Sequence, residues 1–214
     1  MPGRLGAPEA SLRSRARRVA ALAALLAVSA TLTVAPTAGA STAAPSTADP
    51  AALAVTQIDW PWYSVETYYL GLLNCTRTGG WVQTNGTCRG YGSGHYTAYV
   101  APLRLSATIG DRVSRPYARL LALRNLCSHT ADHDPGYRFR RVGLTHWTWA
   151  ENIGCGWGYP SEKAAVLANH LAFQRERWTN GGHWQNIKSS RYTLIGVAVW
   201  RSAAKTRLVT DFYR

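Results

Sequence analysis

YTLIGVAVW, residues 192–200, and TRLVTDFY, residues 206–213, are two strand-like runs joined only by RSAAK. Both runs are rich in β-branched and aromatic residues, and a short linker brings consecutive strands side by side, so we predict an antiparallel hairpin. Before this hairpin, most segments with a clear periodicity of apolar residues have the helical spacing. Helices first and paired strands last indicate an α+β domain in which helices cover a central antiparallel sheet.

Three segments have the apolar spacing of a helical face. They are VETYYLGLLNCTR at 65–77, RVSRPYARLLALRNLC at 112–127 and SEKAAVLANHLAFQRERW at 161–178. The apolar or inward-facing positions are Val65, Tyr68, Tyr69 and Leu72 in the first segment, Val113, Tyr117, Leu120 and Leu121 in the second, and Val166, His170 and Phe173 in the third. We therefore predict three helices that each bury one face.

The beginnings of two helices have recognisable capping signals. Asp111 or Ser114 is suited to cap the second helix, with Pro116 tolerable only in its first turn. Ser161 is suited to cap the third helix, and Glu162 is favourably placed near its positive end.

The remaining segments are rich in turn residues. Residues 78–94, TGGWVQTNGTCRGYGSG, predict a loop or small hairpin, and residues 129–149 are too rich in turn residues to form one element. Asp134-Pro135-Gly136 marks a turn within that second stretch. For Trp147 and Trp149 we expect core packing, with ligand stacking as the alternative.

The first forty residues have the features of a secretory signal peptide. Arginines precede an apolar run that is short for a bilayer span, and Ala38-Gly39-Ala40 is a small-residue cleavage site. We expect cleavage after Ala40 and an extracellular protein, a membrane anchor being the alternative. Residues 41–58 are then a disordered tether, because their Ala, Pro, Ser and Thr bury little, and residues 59–214 form one domain.

The cysteines favour two disulfides in an oxidising compartment. Four cysteines allow three pairings, and we favour Cys75–Cys88, which closes a short loop, together with Cys127–Cys155. A zinc site built from them lacks close Cys-x-x-Cys spacing, and a catalytic thiol would need an unpaired cysteine.

The chain is basic, with 24 Lys and Arg against 11 Asp and Glu and a net charge of +13. Five of the basic residues and one of the acids lie in residues 1–40, so the chain after the expected cleavage keeps a net charge of +9. This charge predicts attraction to anionic wall polymers or lipid head groups outside the cell. The arginines are scattered and no nucleic-acid-binding motif is visible, which argues against nucleic acid. Solubility alone is an alternative explanation of the charge.

Common catalytic motifs are absent from the sequence. The remaining candidates are His129 in CSHT, Glu151 in AENIG, Glu176 in FQRE and His183 in GGHW. Two imidazoles and two carboxylates suit a divalent cation such as zinc, and nothing indicates an organic cofactor. Residue type alone favours the ordinary roles, a histidine that caps a helix and a glutamate that is solvated.

The order of these motifs changes that balance. CSH, ENI, an aromatic-x-x-Glu helix, GGHWQNI and IGVAVW occur in sequence, and the chain from Tyr63 to Tyr213 resembles the CAP superfamily, also called the SCP domain. This family includes cysteine-rich secretory proteins, venom antigens, plant pathogenesis-related proteins and secreted bacterial members. The resemblance implies an α-β-α sandwich with a central cleft lined by two histidines and two acids.

Each site residue is assigned by its own motif. His129 resembles the histidine that ends the second helix of the family, and Glu151 the glutamate of Gly-Glu-Asn. Glu176 resembles the acid of Trp-x-x-Glu, and His183 the histidine of Gly-His-Tyr or Gly-His-Arg. The resemblance thus implies that Gly181 and Gly182 let a turn bring His183 against Glu151, with Trp184 as a wall of the cleft.

Two positions depart from the family pattern, and several residues have lesser roles. Ala150 replaces a glycine and Phe173 replaces a tryptophan. We expect His133 at the rim of the cleft, His95 in an exposed loop, and Asn152 and Asn186 as residues that fix the backbone.

These observations leave three classes of function. The first is an extracellular binding or interaction module with a cation-binding cleft, for which lipid or sterol binding is a further alternative. The second is a metal-dependent hydrolase, with His129, Glu151 and His183 as its catalytic residues and a protein or cell-wall substrate. The third is a purely structural role, in which the four side chains tie helices to the sheet.

Overall fold

The computed structural model describes residues 60–214. The predicted signal peptide at 1–40 and the whole of the predicted tether at 41–58 lie outside the described residues, as does residue 59, the first residue of the predicted domain.

A four-stranded sheet lies at the centre of the domain, in the order β3-β5-β6-β4. Its strands are β3 (Arg104–Leu105), β4 (Trp149–Trp157), β5 (Leu194–Ser202) and β6 (Lys205–Tyr213). The β5–β6 hairpin is antiparallel as predicted, and β6 also pairs antiparallel with β4 along its whole length. Only the short edge strand β3 pairs in parallel, with β5.

Helices cover both faces of the sheet. They are α1 (Tyr63–Arg77), the short α2 (Ala107–Ile109), α3 (Arg115–Leu123), α4 (Pro135–Arg141), α5 (Glu162–Arg175) and α6 (Gly182–Lys188). On one face α1 and α5 pack on the sheet, and on the other α3 packs against β5 and β6. This arrangement confirms the α+β class and the α-β-α sandwich.

The alternation of side chains along the strands builds one core on each side of the sheet. A third, separate buried cluster consists of Ile109, Val113, Phe139 and Tyr213. In β5, Val197 and Val199 point to the α1 and α5 side, whereas Ala198 points to α3. Tyr117 and Leu121 of α3 complete the second core. The predicted inner stripe of this helix is therefore confirmed, although Leu120 is only partly buried.

The start of the second helical segment differs from its prediction. Ser114 precedes α3 directly, but its side chain makes no capping hydrogen bond, and Asp111 lies further from that start. The helical segment begins earlier, where the Ser106 hydroxyl accepts from the N–H of Ile109. A π-helical turn then connects α2 to α3 and includes Ser114, whose hydroxyl bonds inside the protein. Capping of α5 by Ser161 is confirmed.

A second, two-stranded sheet lies outside the sandwich. It consists of β1 (Trp81–Val82) and β2 (Cys88–Arg89), which pair antiparallel within the stretch predicted as a loop or hairpin. The Cys75–Cys88 disulfide ties this hairpin to the end of α1, and Cys127–Cys155 ties the chain after α3 to β4. Both predicted disulfides are confirmed.

Apart from the short β3 and α2, three elements were not predicted. Asp134-Pro135-Gly136 is the beginning of α4, where Asp134 caps the N–H of Tyr137, and so is not a simple turn. The strand β4 has small residues such as Gly154 and is buried on both faces, so it lacks an alternating pattern. The stretch around Gly182 begins the short helix α6 and is not just a turn.

Between residues 60 and 214, no helix has the length and apolar character needed to cross a membrane.

Candidate functional site: two histidine–carboxylate pairs in one cleft

His129 and Glu151 form the first pair. Nδ1 of His129 lies 2.7 Å from Oε1 of Glu151. The Glu151 side chain, on β4, is 1% exposed, whereas that of His129 is 51% exposed. When Glu151 is ionised its carboxylate only accepts hydrogen bonds, so that Nδ1 is the donor and Nε2 of a neutral imidazole is left as the acceptor. A buried acid therefore orients an exposed imidazole.

Arg138 of α4 holds this first pair together. Its Nη2 donates to Oε2 of Glu151, and its Nη1 donates to the carbonyl oxygens of His129 at 3.0 Å and His133 at 2.7 Å. The guanidinium also lies 3.5 Å from the ring centroid of Tyr117. One buried cation thus neutralises Glu151 and fixes the loop that carries His129.

Tyr117 of α3 supports the same loop from below. Its hydroxyl donates to the carbonyl oxygen of Ser128 and accepts from the N–H of Ala131 at 3.1 Å. His129 lies between these two anchor points. It does not end the second helix, because α3 stops at Leu123.

His183 and Glu176 form the second pair. Nδ1 of His183 lies 2.6 Å from Oε1 of Glu176. The other carboxylate oxygen accepts the backbone N–H groups of His183 at 3.0 Å and Trp184 at 3.4 Å, both in the first turn of α6. Negative charge at the start of a helix is favourable because the backbone N–H groups there have no helical partner.

Two neighbours shape this second pair. The ring of Phe173 stacks on that of His183, with centroids 4.2 Å apart and planes 17° apart. Gly181 lies directly against the acid, since a Cβ at that position would be 2.5 Å from Oε2 of Glu176. The imidazole direction is therefore set by the Phe173 ring on α5 and by the lack of a side chain at Gly181.

The pairing differs from the one that the resemblance implied. His183 contacts Glu176 and not Glu151, because Glu151 is already bonded to His129 and Arg138. Glu176 lies on a 3₁₀ turn directly after α5, which brings its carboxylate to the beginning of α6.

Asn152 and Asn186 join the two pairs, as expected. Asn152 Nδ2 donates to the carbonyl oxygen of His183 at 3.1 Å. Asn186 Nδ2 lies 2.8 Å from Oδ1 of Asn152 and 3.4 Å from the carbonyl oxygen of Glu151. These bonds tie α6 to the edge strand β4.

All four predicted side chains line one cleft of about 510 Å³. Its lining consists of His129, Glu151, Asn152, Glu176, Thr179, Gly181, Gly182, His183 and Asn186. Trp184 is not a wall of this cleft, because it is 9% exposed and turned into the protein. His133 lies outside the lining and stacks on Tyr137.

The prediction for the two tryptophans after α4 was half correct. Trp149 is partly buried and packs near Phe139, at 6.1 Å between ring centroids. Core packing of Trp147 was wrong, since this side chain is 81% exposed.

A third carboxyl group lies beside the first pair. Asp211 of β6 is the direct cross-strand neighbour of Glu151 and is fully buried. Burial raises the pKa of Asp211 well above its ordinary value, and the nearby Glu151 raises it further. The Ser114 hydroxyl donates to Oδ2 of Asp211 at 2.7 Å. The sequence gave no sign of this neighbour, because it lies 60 positions along the chain from Glu151.

The donor chemistry of the cleft fits a metal ion held by imidazole nitrogen. Each histidine donates through Nδ1 to a carboxylate, which is the arrangement that orients metal-binding histidines through their other nitrogen. Both oxygens of each glutamate already have partners. In addition, residues 60–214 contain no group of three or more His, Cys, Asp or Glu side chains placed to hold one ion. Binding through all four side chains stays a prediction.

Replacing Gly181 by alanine should break the second pair. The new Cβ would meet the Glu176 carboxylate at 2.5 Å, so that the acid must move away from His183. Overpacking of this kind costs about 1–3 kcal/mol. We expect the ring nitrogens of His183, measured by NMR, to change from one tautomer to a mixture.

Gly182→Ala is the matched control, since a Cβ there meets nothing within 4 Å. A His183 spectrum unchanged in Gly181→Ala would contradict the assignment of Glu176 as the group that orients it.

Comparison with known proteins supports the architecture. No protein-family model and no curated protein matches the sequence. Among solved structures, an outer surface protein of Borrelia burgdorferi has a TM-score of 0.51 and 14% identity, covering 72% of this chain and 94% of its own.

Two further structures have lower TM-scores. An extracellular protein containing an SCP domain from Bacillus anthracis has a TM-score of 0.41 and 19% identity over 54% of this chain, and the match spans only 34% of that protein. NaASP2, crystallised with Zn²⁺, has a TM-score of 0.45 and 15% identity, over 69% of this chain and 78% of its own. At these identities the likeness concerns the fold alone, which the chain shares with the Borrelia burgdorferi protein over 72% of its length.

Proposed function

We propose that the protein is a secreted binding module whose cleft holds a divalent cation, with zinc as the best-suited ion. His129 and His183 would supply the ligand nitrogens, and Glu151 and Glu176 would orient them. The observation that carries this proposal is that both histidines of one cleft use Nδ1 to contact a carboxylate. When bound, the ion would supply a Lewis acid with positions left open for ligand atoms.

Secretion is supported by the cysteines and by the leader. Both disulfides join described residues and leave no free cysteine among them, which suits an oxidising compartment. The features of residues 1–40 point to export.

Binding is favoured over hydrolysis by the state of the two acids. A metal-dependent hydrolase needs a carboxylate that is free to take a proton from water. Glu151 accepts from Arg138 as well as His129, and Glu176 accepts from two N–H groups as well as His183. Each acid would have to release a partner before acting as a base. The hydrolase is the second candidate because the cleft is open and polar.

Calorimetric titration of zinc into the purified protein tests the proposal. We expect saturable one-to-one binding that is lost in His129→Ala and in His183→Ala, because each removes one ligand nitrogen. His133→Ala is the matched control, since it removes a neighbouring exposed imidazole outside the cleft. Zinc at about 100 times its Kd should also stabilise the folded state by about 2.7 kcal/mol.

Folded wild-type protein that takes up no zinc would contradict the proposal and leave the structural role of the four side chains. Hydrolysis of a peptide or peptidoglycan substrate that disappears in Glu151→Gln would instead favour the enzyme.

A further inference from the structure

A second groove, separate from the cleft, lies between the disulfide-held hairpin and the end of α5. It encloses about 330 Å³ and is lined by Trp81, Gln83, Arg89, Tyr96, Arg177 and Trp178. None of these residues lines the histidine cleft. The groove combines three aromatic rings, two guanidinium groups and one amide.

The aromatic rings of the groove contact its two arginines. The Arg177 guanidinium lies 4.9 Å from the ring centroid of Trp178 and 5.9 Å from that of Trp81. On the hairpin, Trp81 is the direct cross-strand partner of Arg89, whose guanidinium lies 5.8 Å from the ring centroid of Tyr96. Cation–π contacts of this kind favour this arrangement of the rings and guanidinium groups.

The hairpin that forms one wall is rigid. The Cys75–Cys88 disulfide joins its second strand to α1. Gln174 of α5 accepts from the N–H of Val82 at 3.0 Å and donates to its carbonyl oxygen at 3.0 Å. The groove is thus preformed, which lowers the entropy cost of binding.

The groove continues into a smaller one. A neighbouring pocket of about 190 Å³ shares Trp81 and Gln83 and adds Arg175 to the lining. Neither lining contains an aspartate or glutamate, so three arginines are not neutralised by acids along this path. An elongated, cationic and aromatic surface fits a chain-like anionic ligand.

We propose that this groove binds an acidic polysaccharide, meaning a chain of sugar rings that carry carboxylate groups. The apolar C–H face of a sugar ring packs on the electron-rich face of an indole, and Trp178 offers one that is 72% exposed. Arg89 and Arg177 match carboxylates, because a guanidinium binds both carboxylate oxygens at once. The amide of Gln83 adds a donor and an acceptor for sugar hydroxyls.

A lipid fits this surface less well. An acyl chain needs an enclosed apolar channel, whereas this groove is open and flanked by guanidinium groups. The net positive charge of the chain adds long-range attraction to any polyanion, so the experiment must separate general charge from the specific site.

The test is calorimetric titration of oligogalacturonate into the full protein. We expect saturable binding that weakens as salt is raised, since the charge contacts are exposed. Trp178→Ala should weaken binding about tenfold, the effect of losing one stacking contact. Arg89→Gln should weaken it by about as much and should reduce the salt dependence.

Trp157→Ala is the matched control, because Trp157 is also an exposed indole, at 65%, and contacts a lysine outside the groove. A neutral oligosaccharide of equal length should bind much more weakly than oligogalacturonate. Polyaspartate and single-stranded DNA distinguish charge or base stacking from sugar recognition, and we expect neither to be sensitive to Trp178→Ala.

Several outcomes would overturn the proposal. They are the absence of saturable oligogalacturonate binding, an equal loss in Trp157→Ala, and equal affinity for polyaspartate, the neutral sugar or DNA. Zinc titration of Trp178→Ala should match that of the wild type. A lack of oligogalacturonate binding in the groove can therefore be distinguished from a lack of zinc binding in the cleft.

Discussion

Arg115→Met is expected to lower the free energy of unfolding by about 3–5 kcal/mol, because it leaves a carboxylate buried without its cation. Glu66 of α1 is 2% exposed. Arg115 Nη2 donates to its Oε2 at 2.7 Å and Nε donates to the same oxygen at 3.2 Å. The other oxygen accepts from Trp60 Nε1 at 2.7 Å and from the N–H of Val199 at 3.1 Å.

The effect should depend on pH in a definite direction. Burial raises the pKa of Glu66, and Arg115 opposes that rise. Without Arg115 the folded-state pKa rises further above that of the unfolded chain, so the protonated form is favoured in the fold. The loss of stability should therefore be largest near neutral pH and shrink as the pH falls toward the ordinary value of a glutamate.

Urea unfolding of three variants checks this prediction. Arg119→Met, one turn further along α3, replaces an exposed arginine near Trp200 and should cost less than about 1 kcal/mol. The double variant Glu66→Gln/Arg115→Met removes the buried charge together with its partner and should recover part of the loss. If Arg115→Met and Arg119→Met cost the same, the ion pair does not stabilise the fold.

His170 should make the protein sensitive to acid. Burial lowers the pKa of this fully buried imidazole of α5 to about 3, from an ordinary 6.5. Its Nε2 lies 2.9 Å from the Thr76 hydroxyl, and its Nδ1 has no hydrogen-bond partner among the described residues. The folded state therefore keeps it neutral, whereas the unfolded chain takes up a proton below about pH 6.5.

The sign of the effect follows from that difference. Between the two pKa values the unfolded state binds more protons, so stability rises with pH in this window. Above pH 6.5 the titration of His170 does not lower the stability of the fold. The loss of stability grows as the pH falls toward 3. Between pH 6.5 and about pH 4 the loss from this group should be about 3 kcal/mol.

Urea unfolding across this pH range should show the effect as a difference in slope. His170→Gln keeps a donor near Thr76 but does not titrate, so its stability should fall less steeply with acid than that of the wild type. His95→Gln removes an exposed imidazole and should leave the slope unchanged. Parallel curves for wild type and His170→Gln would show that the buried imidazole does not govern acid unfolding.

Local pattern was sufficient for much of the fold. The helix α5 follows from an apolar stripe with Ser161 as its cap, and the β5–β6 hairpin from two β-rich runs with a short linker. Each signal involves residues close in the chain. Where the local signal was ambiguous, as in Asp134-Pro135-Gly136, a helix cap was interpreted as a turn.

The composition of the cleft was predictable, but its pairing was not. Ordered motifs selected His129, Glu151, Glu176 and His183, and all four line the cleft. Which acid contacts which histidine depends on Arg138, because this cation holds Glu151 and the His129 loop together.

The sequence by itself determined the α+β class, the principal helices and the terminal hairpin. It favoured both observed disulfides among three pairings, and through the family resemblance it indicated the membership of the cleft. These depend on periodicity, redox chemistry and ordered motifs, which the chain displays directly. Only the tertiary structure decided the partners of buried charges, such as Glu66 with Arg115 at a separation of 49 positions. A charge removed from water must find its partner in space, and the fold alone determines which distant residue is close enough to provide it.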